Sequence, residues 1–278
     1  GFNLQATFDQ DWLSRRNQLV AGFSAEYSQI KFNQTEEEVA SLGPLGFFDG
    51  ARDDIEQSSG LTGKTKTYGA FLSNTHSLKS NFNINTALRY NHVQVDNRDT
   101  FHSRGSSASL TGKHHFERFN PSVGVTFQPN EILSTYASYS ESSRAPTSIE
   151  LGCANPDQPC NLPTQMADDP PLFQVVAKTL EGGVSGKVSE DTSWNMSIYH
   201  ATNHNDILFV YANASNGMGY FTNVEETTRQ GLDVGIKTKF DKLNLNINYG
   251  FVAAQYGSSF SLVNEVNSSA SSDAIQVT

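Results

Sequence analysis

Charge is scarce in this chain: Asp, Glu, Lys and Arg make up only 17% of its 278 residues. Disordered polypeptides combine many charges with few apolar groups, so this scarcity, beside 37% hydrophobic content, argues for a folded chain. Basic residues are the scarcer sign, 19 against 29 acidic, which leaves a net charge of -10. A nucleic-acid binder needs lysine and arginine gathered along a phosphate-facing surface; nucleic acid is therefore not expected as a partner. No window approaches eighteen apolar residues, which argues against a helical membrane span. Nothing at Gly1 resembles a signal peptide, so the start reads as internal or already processed. Only two cysteines occur, Cys153 and Cys160, in a stretch with Asn155, Pro156, Asp157 and Pro159. Such turn-forming composition suits a loop disulfide and hence an oxidising compartment. Zinc or dithiol redox chemistry needs closer spacing and further ligands.

Neutral polarity fills the place of charge: 24 Asn, 32 Ser and 21 Thr stand beside 18 Phe and 10 Tyr. That mixture favours strands and turns. Period-two alternation runs through most of the chain, without helical periodicity. Phe82, Ile84, Thr86, Leu88 and Tyr90 alternate with Asn83, Asn85, Ala87, Arg89 and Asn91. Leu243, Leu245, Ile247, Tyr249 and Phe251 alternate with Asn244, Asn246, Asn248 and Gly250, and Leu232, Val234 and Ile236 with Asp233, Gly235 and Lys237.

Such sorting fits a soluble sandwich with one wet face or a membrane barrel with hydrocarbon outside and water inside. Length favours the barrel. Ten strands are predicted, at about 1–9, 17–32, 64–77, 82–99, 117–128, 131–144, 175–188, 192–212, 219–240 and 242–257, several far beyond the usual globular five or six residues. Short links near 11–16, 78–81, 129–130, 190–191 and 241 alternate with long ones at 33–63, 100–116, 145–174, 213–218 and from 258. One-sided long loops define an up-and-down meander. Two strands are less decisive. Residues 131–144 carry an aromatic in each register, and the outer row of 175–188 (Leu180, Gly182, Val184, Gly186) is thin, so Lys178 is expected above the membrane or pointing inward.

Three segments carry a family resemblance. Phe119 to Pro146, followed by Glu150 and Leu151, resembles the signature hairpin of TonB-dependent outer-membrane receptors. Tyr68 to Leu72 with Leu88 to Tyr90 is similar to another hairpin of that barrel, and Phe221-Thr222-Asn223-Val224 with Arg229 to Asp233 resembles a third strand. The resemblance implies a 22-stranded barrel filled by an N-terminal plug domain, importing scarce nutrients such as ferric siderophores with energy from the inner-membrane TonB complex. On that footing the chain is expected to be an all-β, antiparallel up-and-down transmembrane barrel segment, in contact with outer-membrane lipid and with the plug of the same full-length chain. Inward residues including Arg89, Asp233, Lys237 and Lys239 would face plug or water.

Outer loops are where a small-molecule ligand is expected, and Arg144, Asp157, Asp168 and Asp169 are the candidate contacts. Arg144 and Pro146 also read as an architectural strand exit. Asp49 to Asp54 and the Asp168-Asp169 pair cluster carboxylates without calcium-loop spacing, which favours solvated loops. His114 and His115 point to opposite sides of an extended chain. His200 and His204 share a face at about 13 Å, too far to chelate one ion, so neither metal nor cofactor is expected. No Gly-x-Ser-x-Gly elbow, HExxH or phosphate loop marks an enzyme, and His92 lacks a placed serine partner. A passive porin or adhesin-like barrel and a soluble all-β carbohydrate-binding module remain the rival readings.

Overall fold

The computed structural model describes residues 1–12, 15–36, 56–102, 109–152, 160–161, 172–213, 218–263 and 274–277. Six long strands open the chain: β1 (Phe2–Trp12), β2 (Arg15–Glu36), β3 (Glu56–Lys79), β4 (Phe82–Asp99), β5 (Gly112–Phe127) and β6 (Leu133–Arg144). A one-turn helix α1 (Ser148–Gly152) and a two-residue strand β7 (Cys160–Asn161) precede β8 (Val175–Ser189), β9 (Thr192–Asn213), β10 (Met218–Phe240) and β11 (Leu243–Tyr256). A small separate hairpin joins β12 (Phe260–Val263) to β13 (Ala274–Val277).

The ten long strands form one sheet in chain order, every neighbour antiparallel, with β7 laid against the start of β10. The predicted meander is thus the observed one. Strand β4 has the predicted limits, while β3 begins eight residues before the predicted 64, and β5 begins at Gly112. Turns at one end are tight. Ser80 and Asn81 join β3 to β4, and Asp241 and Lys242 join β10 to β11, with Asp241 at a positive φ of 45°. Asn130 caps the β5–β6 link by accepting the Ile132 and Leu133 N–H groups at 3.0 and 2.9 Å. The longer connections all lie at the opposite end.

Registry carries each strand's alternation across its neighbours, because antiparallel partners share a face. Val125, Ala137, Gly182, Ile198, Leu232 and Phe251 make one cross-sheet row. The next row, on the other face, is Thr126, Tyr136, Gly183, Ser197, Asp233 and Gly250. In β1 and β2 likewise, Leu4 opposes Phe23 and Phe8 opposes Leu19, while Gln5 opposes Gly22 and Asp9 opposes Gln18. The apolar face is bare: Ile247 is 53% exposed, Phe251 54% and Ile198 58%. Apolar area on that scale is not left to water by a soluble monomer; it is the surface a barrel turns to hydrocarbon.

The two ambiguous strands are resolved by their partners. Tyr136 belongs to the polar row and Tyr139 to the apolar one. Lys178 sits on the apolar side, one row beyond Leu180 toward the loop end, directly opposite Glu141, which puts it above the apolar band.

Candidate functional site

The loop end of the polar face is where the chain builds something more than a wall. Strand β6 ends at Arg144, and the buried Pro146 turns the chain back. Thr147 then starts α1 with a reciprocal cap: its Oγ1 accepts the Glu150 N–H at 3.2 Å, and Glu150 Oε2 accepts the Thr147 N–H at 2.7 Å. That threonine-to-glutamate spacing satisfies two helix N–H groups at once. Arg144 Nη1 donates to both Glu150 carboxylate oxygens at 3.1 and 2.8 Å, tying the strand exit to the cap.

The capped turn lies against the polar face of β3 and β4. Asn97 Nδ2 donates to the Ser148 carbonyl at 3.0 Å, and Gly63 is where the helix comes closest, since a β-carbon there would overlap the Ser148 side chain. Leu151 packs in a buried cluster with Val95, Leu172, Val175 and Ile207; beside it Leu61 and Leu110 pack against Ile149 and Phe221. Each aliphatic side chain so buried contributes about 1.5–3 kcal/mol relative to exposure. Residues 146–152 therefore form a strap on the interior side of the wall, and residues 172–174 return to it. At its return Asn223 accepts the Phe173 N–H at 2.8 Å and donates to the carbonyls of Phe173 at 3.1 Å and Asn205 at 2.7 Å, and Gln174 Nε2 donates to the Glu117 carbonyl at 3.0 Å.

Two buried carboxylates tie neighbouring segments together, Asp99 the connection after β4 and Asp206 the strands β9 and β10. Asp99 accepts N–H bonds from Phe101, His102 and Leu110 at 2.7, 2.8 and 3.0 Å and contacts His102 Nδ1 at 3.1 Å. Burial alone would raise its pKa; the donors outweigh burial and hold the carboxyl below its ordinary value. Asp206 accepts from Thr227 Oγ1 at 2.6 Å and Asn203 Nδ2 at 3.5 Å, with Arg229 Nη2 at 3.9 Å.

Below the strap the polar face is a lattice of neutral and charged groups. Arg89 reaches over Gly69, which has no room for a β-carbon, to donate to Ser24 Oγ at 3.1 Å. Tyr136 donates to Glu181. Lys187 and Lys237 register through Ser193, Lys239 lies on the same face one row nearer the turn, and none of the three has an ion-pair partner among the described residues. Asp233 also lies on this face.

Of the predicted ligand contacts, Arg144 is placed as the cap's anchor, about half exposed at 47%. Asp157, Asp168 and Asp169 lie outside the described residues, as do Cys153 and Asp49 to Asp54. Cys160 lies in β7, its backbone opposite Gly219. His114 and His115 fall on opposite faces; His200 and His204 share one, with His204 Nδ1 at 3.7 Å from Glu226. Among the described residues no group of three His, Cys, Asp or Glu could hold a metal ion. Sequence reading did not find the clamp of Asn223 or the knots of Asp99 and Asp206. Asn223 lay in a recognisable segment, but its partner Phe173 is fifty residues away.

The family described as TonB dependent receptor-like, beta-barrel matches residues 1–274. Curated protein sequences yield no match. The fold is similar to that of the siderophore receptor PiuA from Acinetobacter baumannii, with 15% identity, a TM-score of 0.66, and coverage of 95% of this chain and 39% of that one. It is similar also to the ferric-catecholate import receptor Fiu of E. coli, with 14% identity, a TM-score of 0.66, and coverage of 92% and 37%. The alcaligin outer-membrane receptor FauA of Bordetella pertussis shows 14% identity, a TM-score of 0.58, and coverage of 92% and 38%. The chain thus spans less than two-fifths of the length of these three proteins.

Proposed function

The chain belongs to the TonB-dependent receptors, as a length of their outer-membrane β-barrel, and from that premise we propose that the full-length protein imports a scarce nutrient, most simply a ferric siderophore or similar metal chelate. Uptake is energised by the inner-membrane TonB complex, reached through a plug domain that fills the lumen. Transport, not catalysis, is the activity of this family.

The observation that carries the reading is the division of the wall. One face is bare and apolar, the other carries Arg89, Asp233, Lys237 and Lys239, and at the loop end the interior side is built up by a strap rather than left open. A passive pore needs an unobstructed polar lumen; a receptor needs preorganised surface at its mouth. In this scheme Arg144, Asp157, Asp168 and Asp169 contribute to the ligand-facing loops, Cys153 and Cys160 form a disulfide that shortens the loop between them, and the inward lysines and Asp233 meet the plug. The siderophore class is favoured because PiuA is a siderophore receptor, Fiu a ferric-catecholate import receptor and FauA an alcaligin receptor.

The test is uptake of radioactive iron from a panel of ferric hydroxamates, catecholates and carboxylates by cells bearing or lacking the full-length gene. Saturable uptake that depends on the gene and stops when the proton-motive force is collapsed is expected. Uptake that survives the collapse, linear in concentration, would point to a passive pore.

A further inference from the structure

The apolar face ends toward the loops in an aromatic border, Tyr68, Tyr90 and Phe119, and at this height the pairing of the wall is interrupted between β5 and β6. Registry between these two strands runs only from Phe127 opposite Thr135 to Ser122 opposite Ser140. Neither strand ends there. Strand β5 continues for ten residues to Gly112, paired with β4 as far as Asn97, and β6 continues for four to Arg144, paired with β8 as far as Val175. The break begins at Pro121, which has no N–H to offer a ladder. An unpaired strand edge is costly in hydrocarbon; this one lies where the apolar band gives way to water.

Side chains close the break, and they do so across the wall. Arg118 and Asn120 lie opposite Asn91 and Arg89 on the inner face, whereas Glu141 and Ser143 lie opposite Lys178 and Val176 on the outer one. Even so, Arg118 Nη2 donates to Glu141 Oε2 at 2.6 Å, and Asn120 Nδ2 donates to Ser143 Oγ at 3.1 Å. Inner side chains thus reach through the seam to outer ones. The closure leaves two polar atoms bare: Asn120 is 7% exposed and its Oδ1 has no hydrogen-bond partner, nor has the buried Nε of Arg118. Buried polar atoms are nearly always bonded, so a pair of bare ones in one seam weakens the shut arrangement relative to one that admits water.

We infer that the seam between β5 and β6 is a side gate in the wall, shut by the Arg118–Glu141 and Asn120–Ser143 bonds and opening at the top of the apolar band, where it joins the lumen to the water above the membrane. Opening parts no registered pair, because registry already stops at Ser122 and Ser140. Water entering the gap supplies the partners that Asn120 Oδ1 and Arg118 Nε lack. The sheet on either side stays whole, since β5 keeps β4 and β6 keeps β8. Below the gate, the registered stretch from Ser122 to Phe127 is the hinge, and it keeps the hydrocarbon-facing part of the wall sealed. The inference does not depend on which nutrient the receptor carries.

The test places spin-label pairs on the full-length receptor in phosphatidylcholine vesicles, in a C153S/C160S background, and reads distances by pulsed dipolar electron paramagnetic resonance. The pair H115C/K178C carries one label on β5 and one on β8, on either side of the seam. The control pair H115C/K66C spans as many strands across unbroken registry, His115 opposite Gln94 and Gln94 opposite Lys66. Two distances are expected across the seam, separated by about one strand spacing of about 4.8 Å, and a single distance for the control. Glu141→Gln removes the charge from the closing bond and should raise the ratio of long to short seam distances about fivefold. Arg118→Glu should raise it too, and the exchange R118E/E141R should restore the parent ratio. A single seam distance in the parent, or a ratio unmoved by Glu141→Gln, would overturn the inference. So would equal broadening of the control pair, which would mean a general loosening of the sheet. Should the variants fail to fold, the seam and control distances of the parent still decide.

Discussion

Replacing Ile247 with arginine is expected to cost the assembled barrel about 2 to 4 kcal/mol, the midplane penalty for a cation on a hydrocarbon-facing strand. The position is chosen from the geometry of β11. Its apolar row runs Leu243, Leu245, Ile247, Tyr249 and Phe251, and pairs with Phe240, Thr238, Ile236, Val234 and Leu232. From the first of these to the last the strand rises about 27 Å; at the usual tilt of about 40° that is about 21 Å of height, close to the roughly 25 Å apolar band of such barrels. Ile247 is the midpoint of the row, so its replacement meets the full penalty, about 30- to 900-fold in the folding equilibrium. Leu243→Arg, at the turn end, should cost only about 0 to 1 kcal/mol. Asn248→Arg, one residue along but on the other face opposite Gly235, should be tolerated. Asn246 is a poorer control, because its cross-strand neighbour is Lys237. The assay is denaturant titration of the full-length protein refolded into phosphatidylcholine vesicles, with heat-modifiable gel mobility reporting the folded fraction. Equal penalties at 243, 247 and 248 would refute the assignment of faces.

The remaining predictions concern the strap and its surroundings. Gly63→Val should push α1 off β3, because the new side chain occupies the place of the Ser148 hydroxyl; faster hydrogen exchange at Leu151, with unchanged exchange in β9, is the expected signature. Thr147→Ala removes one half of the cap and should weaken the helix by about 1 kcal/mol, read by the same exchange measurement, while Thr147→Ser should restore protection. Asp99 carries a folded-state pKa below its unfolded value, so its contribution is present above the ordinary carboxylate range and is lost as pH falls through and below that range; Asp99→Asn should flatten the acid limb of a melting-temperature profile. Alkylation of the denatured, unreduced protein should leave Cys153 and Cys160 unmodified, and labelling of both thiols would remove the disulfide.

Most of the wall was legible because hydrocarbon on one side and water on the other impose a strict period of two. That constraint is local, and β4, β9 and β10 emerge with nearly the limits their alternation predicts. The first eight residues of β3, rich in Ser and Gly, read as loop; their strand is imposed by β2 and β4 on either side, as in the pairing of Leu61 with Phe32 and Asp99. Helix α1 is too short for periodicity, though Thr147 and Glu150 stand at capping distance in the sequence and in retrospect mark it. Contacts between distant segments left no trace. Asn97 meets Ser148 fifty-one residues away, and Asn223 meets Phe173 fifty residues away; nothing in either neighbourhood states its partner.

Strand β3 continues for twelve residues past Tyr68 to Glu56, still paired with β2 as far as Glu36. At about 3.3 Å per residue and a tilt of about 40°, that length lifts the hairpin tip about 30 Å beyond the aromatic border. The palisade is thus taller than the bilayer surface it crosses. Along that whole height the hairpin presents backbone already paired to its neighbour, well clear of the sugars and phosphates that crowd the cell's skin.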